Sequence, residues 1–176
     1  MIENKNEQEQ KLIVAIKKIR KDRNWLNNYF DLIKETFLSI GVFEDSPKIT
    51  MSITKDLKMP ISIGQRYIIS YSFRKDIVGF ILPIEFREIL ADYDTATVEE
   101  AYFFNKKKKQ EALWVEFNGN IIMEDDNSLY KSWINAAKTE LNKTKQSGFR
   151  RSHNPFYYKA VMDNDYRQFI FEETHG

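Results

Sequence analysis

The feature that most constrains the fold is an apolar pattern in residues 6–40, a stretch without proline or glycine. The apolar residues recur at spacings of four and three, which places them on one face of a helix. This spacing predicts one long helix, or two helices broken near residues 22–24, ending at Gly41. The members are Leu12, Ile16, Ile19, Leu26, Phe30, Ile33, Phe37 and Ile40.

This stripe has two interpretations, a coiled-coil seam between two chains and the core-facing side of a helix within one chain. Phe30 and Phe37 are bulky for a two-stranded seam. Trp25 and Tyr29 also widen the apolar face beyond a narrow seam. We therefore predict that the stripe is buried inside the monomer.

The middle of the chain has the alternating pattern of β-strands. Residues 49–53 alternate, as do residues 67–73, and residues 77–82 form an apolar run that ends at Pro83. A turn at 74–76 would join the last two strands into a hairpin. Strands at 102–104 and 113–117 predict a second hairpin, with Lys106 to Lys109 at its tip, and a short helix is expected at 84–91 between the hairpins.

The C-terminal third returns to helical patterns. A helix is predicted from about Ser128 to Lys145, a second from Pro155 with Asn154 as its cap, and a last short helix after residues 163–165. The order of elements predicts an α+β fold, in which N-terminal and C-terminal helices pack on a small antiparallel sheet of two hairpins. We expect a single domain over residues 1–176, with residues 1–8 as a flexible tail.

Composition limits the possible functions. The chain has 27 basic and 26 acidic residues, so nucleic-acid binding would need a local excess of cations. It has no cysteine, which excludes disulfides, Cys-ligated zinc and thiol nucleophiles and suits a cytoplasmic protein. No apolar run reaches the roughly 18–20 residues of a membrane span. We expect a cytoplasmic protein with no membrane partner.

The strongest functional signal is a basic segment with interleaved aromatic residues, from Tyr130 to Lys159. Cations that neutralise phosphates and rings that stack on bases are what a nucleic acid requires. Three lysines lie seven residues apart, and two arginines and a histidine precede the helix start at Pro155, where backbone N–H groups attract anions. The predicted anion-binding residues are Lys131, Lys138, Lys145, Arg150, Arg151, His153 and Tyr157, with Tyr157 or Phe149 stacking on a base.

Other interpretations stay open at this point. The basic segment is also typical of a solvated helix face whose aromatic residues belong to the core. A protein-interaction module would use the N-terminal helices, with an exposed stripe around Trp25 and Tyr29. A metal-dependent enzyme would use carboxylates at 124–126, 92 and 94, or 163 and 165.

Several catalytic patterns are missing from the sequence. It has no GxxxxGK[ST] or GxGxxG phosphate loop, no GxSxG elbow and no HExxH pair. We therefore expect a non-catalytic binding module without a metal or cofactor, with nucleic acid as its partner.

Overall fold

The computed structural model describes residues 2–55, 58–64, 67–72, 77–83, 97–102, 109–115, 128–146 and 150–174. Within these ranges it has five α-helices, six β-strands and one 3-10 turn, which confirms the predicted α+β class. The helices are α1 Ile2–Lys18, α2 Arg23–Ile40, α3 Ser128–Lys143, α4 Pro155–Met162 and α5 Asn164–Glu173, and the 3-10 turn is Arg150–Ser152. The strands are β1 Ile49–Met51, β2 Ile61–Ile63, β3 Tyr67–Ser72, β4 Ile77–Pro83, β5 Thr97–Tyr102 and β6 Lys109–Val115.

The N-terminal stretch forms two helices, with the break at residues 19–22. Asp22 fixes the start of α2, because its carboxylate accepts a hydrogen bond from the Trp25 amide at 2.7 Å. Gly41 ends α2 in the left-handed conformation, with φ of 87°, as predicted. Helix α1 begins at Ile2, within the segment that was expected to be a tail.

The apolar stripe lies inside the monomer, as predicted. Seven of its members are at most 3% exposed, and Ile19, at the helix break, is half-buried. Trp25 and Tyr29 are also buried and stack on each other, with ring centroids 5.5 Å apart. This corrects the alternative in which these two rings form an exposed interaction surface. The seven are Leu12, Ile16, Leu26, Phe30, Ile33, Phe37 and Ile40.

The strands form one antiparallel sheet in the order β1-β2-β3-β4-β6-β5. The predicted hairpin of residues 67–73 and 77–82 is present as β3–β4, and a second hairpin, β5–β6, overlaps the other predicted hairpin but has different bounds. Lys109, which was predicted at the hairpin tip, lies in β6 and pairs with Tyr102. The first strand of the second hairpin starts at Thr97 rather than at Tyr102, because its register pairs Thr97 with Trp114 and Tyr102 with Lys109. Strand β2 was not predicted, because Pro60 and Gly64, which flank it, locally indicate turns, although Ile61 and Ile63 alternate with Ser62. The predicted helix at 84–91 and Lys106 to Lys108 lie outside the described residues.

The C-terminal helices complete the core. Helix α3 starts at the predicted residue and ends at Lys143, α4 begins at Pro155 as predicted, and Asp163 caps α5. They bury apolar side chains against α1, α2, β1 and β2. No helix in the described part of the chain is long and apolar enough to cross a membrane. The buried apolar residues of these helices are Ala137, Leu141, Tyr157, Ala160, Val161, Ile170 and Phe171.

Candidate anion-binding surface

The predicted anion-binding residues separate into two groups. Lys131, Lys138, Lys145 and Arg151 are exposed. None of these four cations is paired with an acid among the residues that the structure describes. Three others, Arg150, His153 and Tyr157, are instead part of the packing that holds the helices to the sheet.

Arg150 is used internally. Its Nη1 donates to the Ile49 carbonyl oxygen at 2.8 Å and to the Ser46 carbonyl oxygen at 3.0 Å. Both terminal nitrogens lie 3.2 Å from Oδ1 of Asp45, with 24% of the arginine side chain exposed. Because Nη1 and the positive charge of Arg150 already have partners within the protein, the structure places Arg150 in the packing rather than among the exposed cations.

Both ring nitrogens of His153 also have partners within the protein. Its Nδ1 accepts a hydrogen bond from the Met51 amide at 3.0 Å, and its Nε2 lies 2.9 Å from Oδ2 of Asp45. An Nδ1 that accepts from an amide carries no proton, so Nε2 bears the proton and donates it to the carboxylate. With only 8% of the residue exposed and a partner on each ring nitrogen, His153 is not available to bind an anion. Sequence reasoning found no partner for His153, and the structure supplies two.

Asp45 joins these two side chains. Partial burial by itself would raise the pKa of the Asp45 carboxyl. The hydrogen bond from His153, together with the charge and hydrogen bond of Arg150, more than offsets this effect and lowers the pKa of Asp45 below its usual value. Asp45 is therefore ionised at neutral pH and cancels the positive charge of Arg150.

The start of α4 is closed to anions. The Asn154 side-chain oxygen accepts from the Phe156 amide at 3.0 Å and from the Tyr157 amide at 3.3 Å. Pro155 has no N–H to offer. The expected anion site at this helix start is therefore corrected, because the side-chain cap satisfies the amides that would have held a phosphate.

Tyr157 is completely buried. Its hydroxyl donates to the Met59 carbonyl oxygen at 3.0 Å. The pKa of Tyr157 is raised well above the usual value, mainly by burial and further by the interaction with Tyr29. This corrects the expectation that Tyr157 stacks on a base. Phe149, the other stacking candidate, lies outside the described residues.

Helix α3 presents an exposed polar stripe. Lys131, Asn135, Lys138 and Asn142 are all exposed and follow one another at spacings of four, three and four. These spacings place them on one helix face, with the two lysines separated by about 10.5 Å along the axis. Asn135 and Asn142 were not predicted, although their helical spacing to the lysines was visible in the sequence. Lys145 lies two residues beyond the end of α3, which corrects its assignment to the same helical face.

The C-terminal end of α3 and the 3-10 turn lie against the same part of the chain. A side-chain carbon added at Gly64 would come within 2.7 Å of Glu140 on α3. The Gly64 amide donates to the Lys48 carbonyl oxygen, and Arg150 of the 3-10 turn donates to the neighbouring Ser46 carbonyl oxygen. Glu140 of α3 and Arg150 of the turn therefore both lie near the segment of residues 46–48 and its partner Gly64.

The carboxylates do not form a metal centre in the described part of the chain. No group of three potential metal ligands occurs there. The Asp163 carboxylate accepts from the Asp165 and Tyr166 amides, so Asp163 serves as the cap of α5. The predicted carboxylates at 92, 94 and 124–126 lie outside the described residues.

Comparison of the chain with protein-family models, with curated proteins and with solved structures finds no significant match.

Proposed function

We propose that the protein is a non-catalytic module that binds a polyanion, with nucleic acid as the partner. The binding residues are Lys131 and Lys138 on α3, Lys145 just after it, and Arg151 in the 3-10 turn. The observation that carries the proposal is the exposure of all four cations without a paired acid among the described residues.

The spacing of the two helical lysines supports a phosphate backbone as the partner. Their separation of about 10.5 Å spans roughly three nucleotides, since successive phosphates on one strand of B-DNA advance by about 3.4 Å. Asn135 and Asn142, on the same face, offer amide groups that can donate hydrogen bonds to phosphate or sugar oxygens. Such contacts position a nucleic acid without reading its sequence, so we expect little sequence preference.

The proposal is tested by fluorescence anisotropy with labelled single-stranded and double-stranded oligonucleotides. The test variant replaces Lys131 and Lys138 by glutamine. Each lost phosphate contact should weaken binding and reduce the slope of log Kd against log salt by about 0.7 for single strands and about 0.9 for duplex.

A matched control removes the same charge from another helix. Lys17 and Lys18 are exposed at the end of α1, and their replacement by glutamine should reduce affinity less than the α3 change. Equal losses from the two double variants would show that net charge, rather than the α3 surface, determines binding.

A protein-interaction module is the second candidate, favoured by one observation at the end of α2. Phe43 is 73% exposed and Leu38 is 38% exposed, whereas the apolar stripe of the same helix is buried. A concentration-dependent increase in mass that Phe43→Ser abolishes would favour this candidate. A mass that does not change with protein concentration would exclude self-association as the role of the exposed Phe43 and Leu38.

A further inference from the structure

The cluster of Asp45, Arg150 and His153 also seals the outer edge of the sheet. β1 is the edge strand of the sheet, and residues 49 and 51 direct their backbone groups away from β2. The Lys48 carbonyl oxygen and the Ser52 amide, by contrast, bond to the β2 side. An edge strand with open backbone groups would be a template for pairing with another strand.

Every outward backbone group of this edge has a partner. The Ile49 amide donates to the Ser46 carbonyl oxygen, and the Ile49 carbonyl accepts from Arg150. The Met51 amide donates to Nδ1 of His153, and the Met51 carbonyl accepts from the Asn154 amide at 2.7 Å. Residues 150–154 therefore occupy the position that a further strand would take.

One of these contacts depends on protonation. Nδ1 of His153 accepts from the Met51 amide only while it carries no proton. A second proton on the ring would place two N–H donors face to face in a buried position, which breaks the bond. We propose that His153 is a proton-controlled latch, which seals the β1 edge when its Nδ1 is unprotonated and releases residues 150–154 when Nδ1 is protonated.

The charges around the ring are of both signs, so release follows from the clash between the two N–H donors rather than from charge repulsion. Asp45 would attract the imidazolium, and Arg150, which is paired with the same carboxylate, weakens that attraction. Glu44 neighbours Asp45 in the loop after α2. Tyr158 of α4 lies near Asp45 and Glu44. Its pKa is raised mainly by burial and further by these two negative charges, so its hydroxyl stays neutral. From α1, the uncharged Gln8 donates to the His153 carbonyl oxygen.

The test uses NMR on the intact, uniformly ¹⁵N-labelled chain, which has only two histidines to assign. At about pH 7.5 the ring nitrogens of His153 should report a proton on Nε2 and none on Nδ1. Over the pH range in which His153 takes up its second proton, the hydrogen-exchange protection factor of the Met51 amide should fall at least about tenfold. The amides of Ile33 and Phe37 in the core helix α2 should change by less than about twofold.

A variant that cannot take up the proton separates the latch from general acid destabilisation. His153→Asn keeps an oxygen near the position of Nδ1 and should abolish the pH dependence of Met51 protection. A similar fall in this variant would overturn the proposal. Any of three results in the unmodified protein would also overturn the proposal: a proton on Nδ1 at neutral pH, constant protection of the Met51 amide while His153 titrates, or no titration of His153 before global unfolding.

Discussion

Arg150 and Arg151 are adjacent and chemically identical, yet we expect their replacement to have different effects on stability. Arg150→Met removes charged donors from the Ser46 and Ile49 carbonyl oxygens and breaks the pair with Asp45. We assign about 1 kcal/mol to each carbonyl contact and about 1 kcal/mol to the partly exposed ion pair, and so expect a loss of about 3 kcal/mol. Arg151→Met alters an exposed side chain and should change stability by less than about 0.5 kcal/mol.

Urea unfolding, followed by tryptophan fluorescence, measures this difference. With a denaturant slope of about 2 kcal/mol/M, Arg150→Met should lower the unfolding midpoint by about 1.5 M, and Arg151→Met should leave it nearly unchanged. A loss below about 1 kcal/mol for Arg150→Met, or equal losses for the two variants, would refute the internal role that we assign to Arg150.

Three further predictions concern the core, the acid stability and a close approach of the backbone. Phe30→Ala should cost about 3–5 kcal/mol in urea unfolding because Phe30 is fully buried, and a loss below about 1 kcal/mol would show that the stripe is exposed. The lowered pKa of Asp45 stabilises the folded protein at pH values above 3.8, the usual pKa, and this contribution is lost as the pH falls through the lower pKa of the folded state. Asp45→Asn should therefore make the free energy of unfolding depend less on pH below 3.8. Gly64→Ala should destabilise the protein by about 1 kcal/mol or more beyond the effect of Gly41→Ala. Both glycines have positive φ, but of the two only Gly64 has a neighbour, Glu140, that an added side-chain carbon would clash with. Equal melting temperatures for the two glycine variants would contradict this reading.

The parts of the fold that were predictable from the sequence have local causes. The spacing of Leu12, Phe30 and Phe37 identified a buried helix face, and the Asn154-Pro155 pair identified the start of α4. In both cases, residues a few positions apart determine the structure. Strand β2 was missed because it lies between Pro60 and Gly64, two residues that locally indicate turns.

The internal cluster could not be predicted for a different reason. Asp45 lies more than 100 residues before Arg150 and His153, so no local pattern connects them. The sequence also offered no basis for distinguishing Arg150 from Arg151, because which of two adjacent arginines turns inward in a 3-10 turn depends on the strand that packs beside it. Composition therefore identified the basic segment but not the division between its internal and its exposed cations.

The most direct test of the proposed function is the salt dependence of oligonucleotide binding by the unmodified protein. Four phosphate contacts, from Lys131, Lys138, Lys145 and Arg151, predict that the logarithm of the association constant falls against the logarithm of the salt concentration with a slope of about −2.8 for a single strand and about −3.6 for a duplex. The measurement is an anisotropy titration repeated at several salt concentrations. Binding that weakens along such a slope would support the polyanion-binding role. No binding at about 50 mM salt and about 50 µM protein, conditions under which ordinary non-specific association is seen, would contradict it.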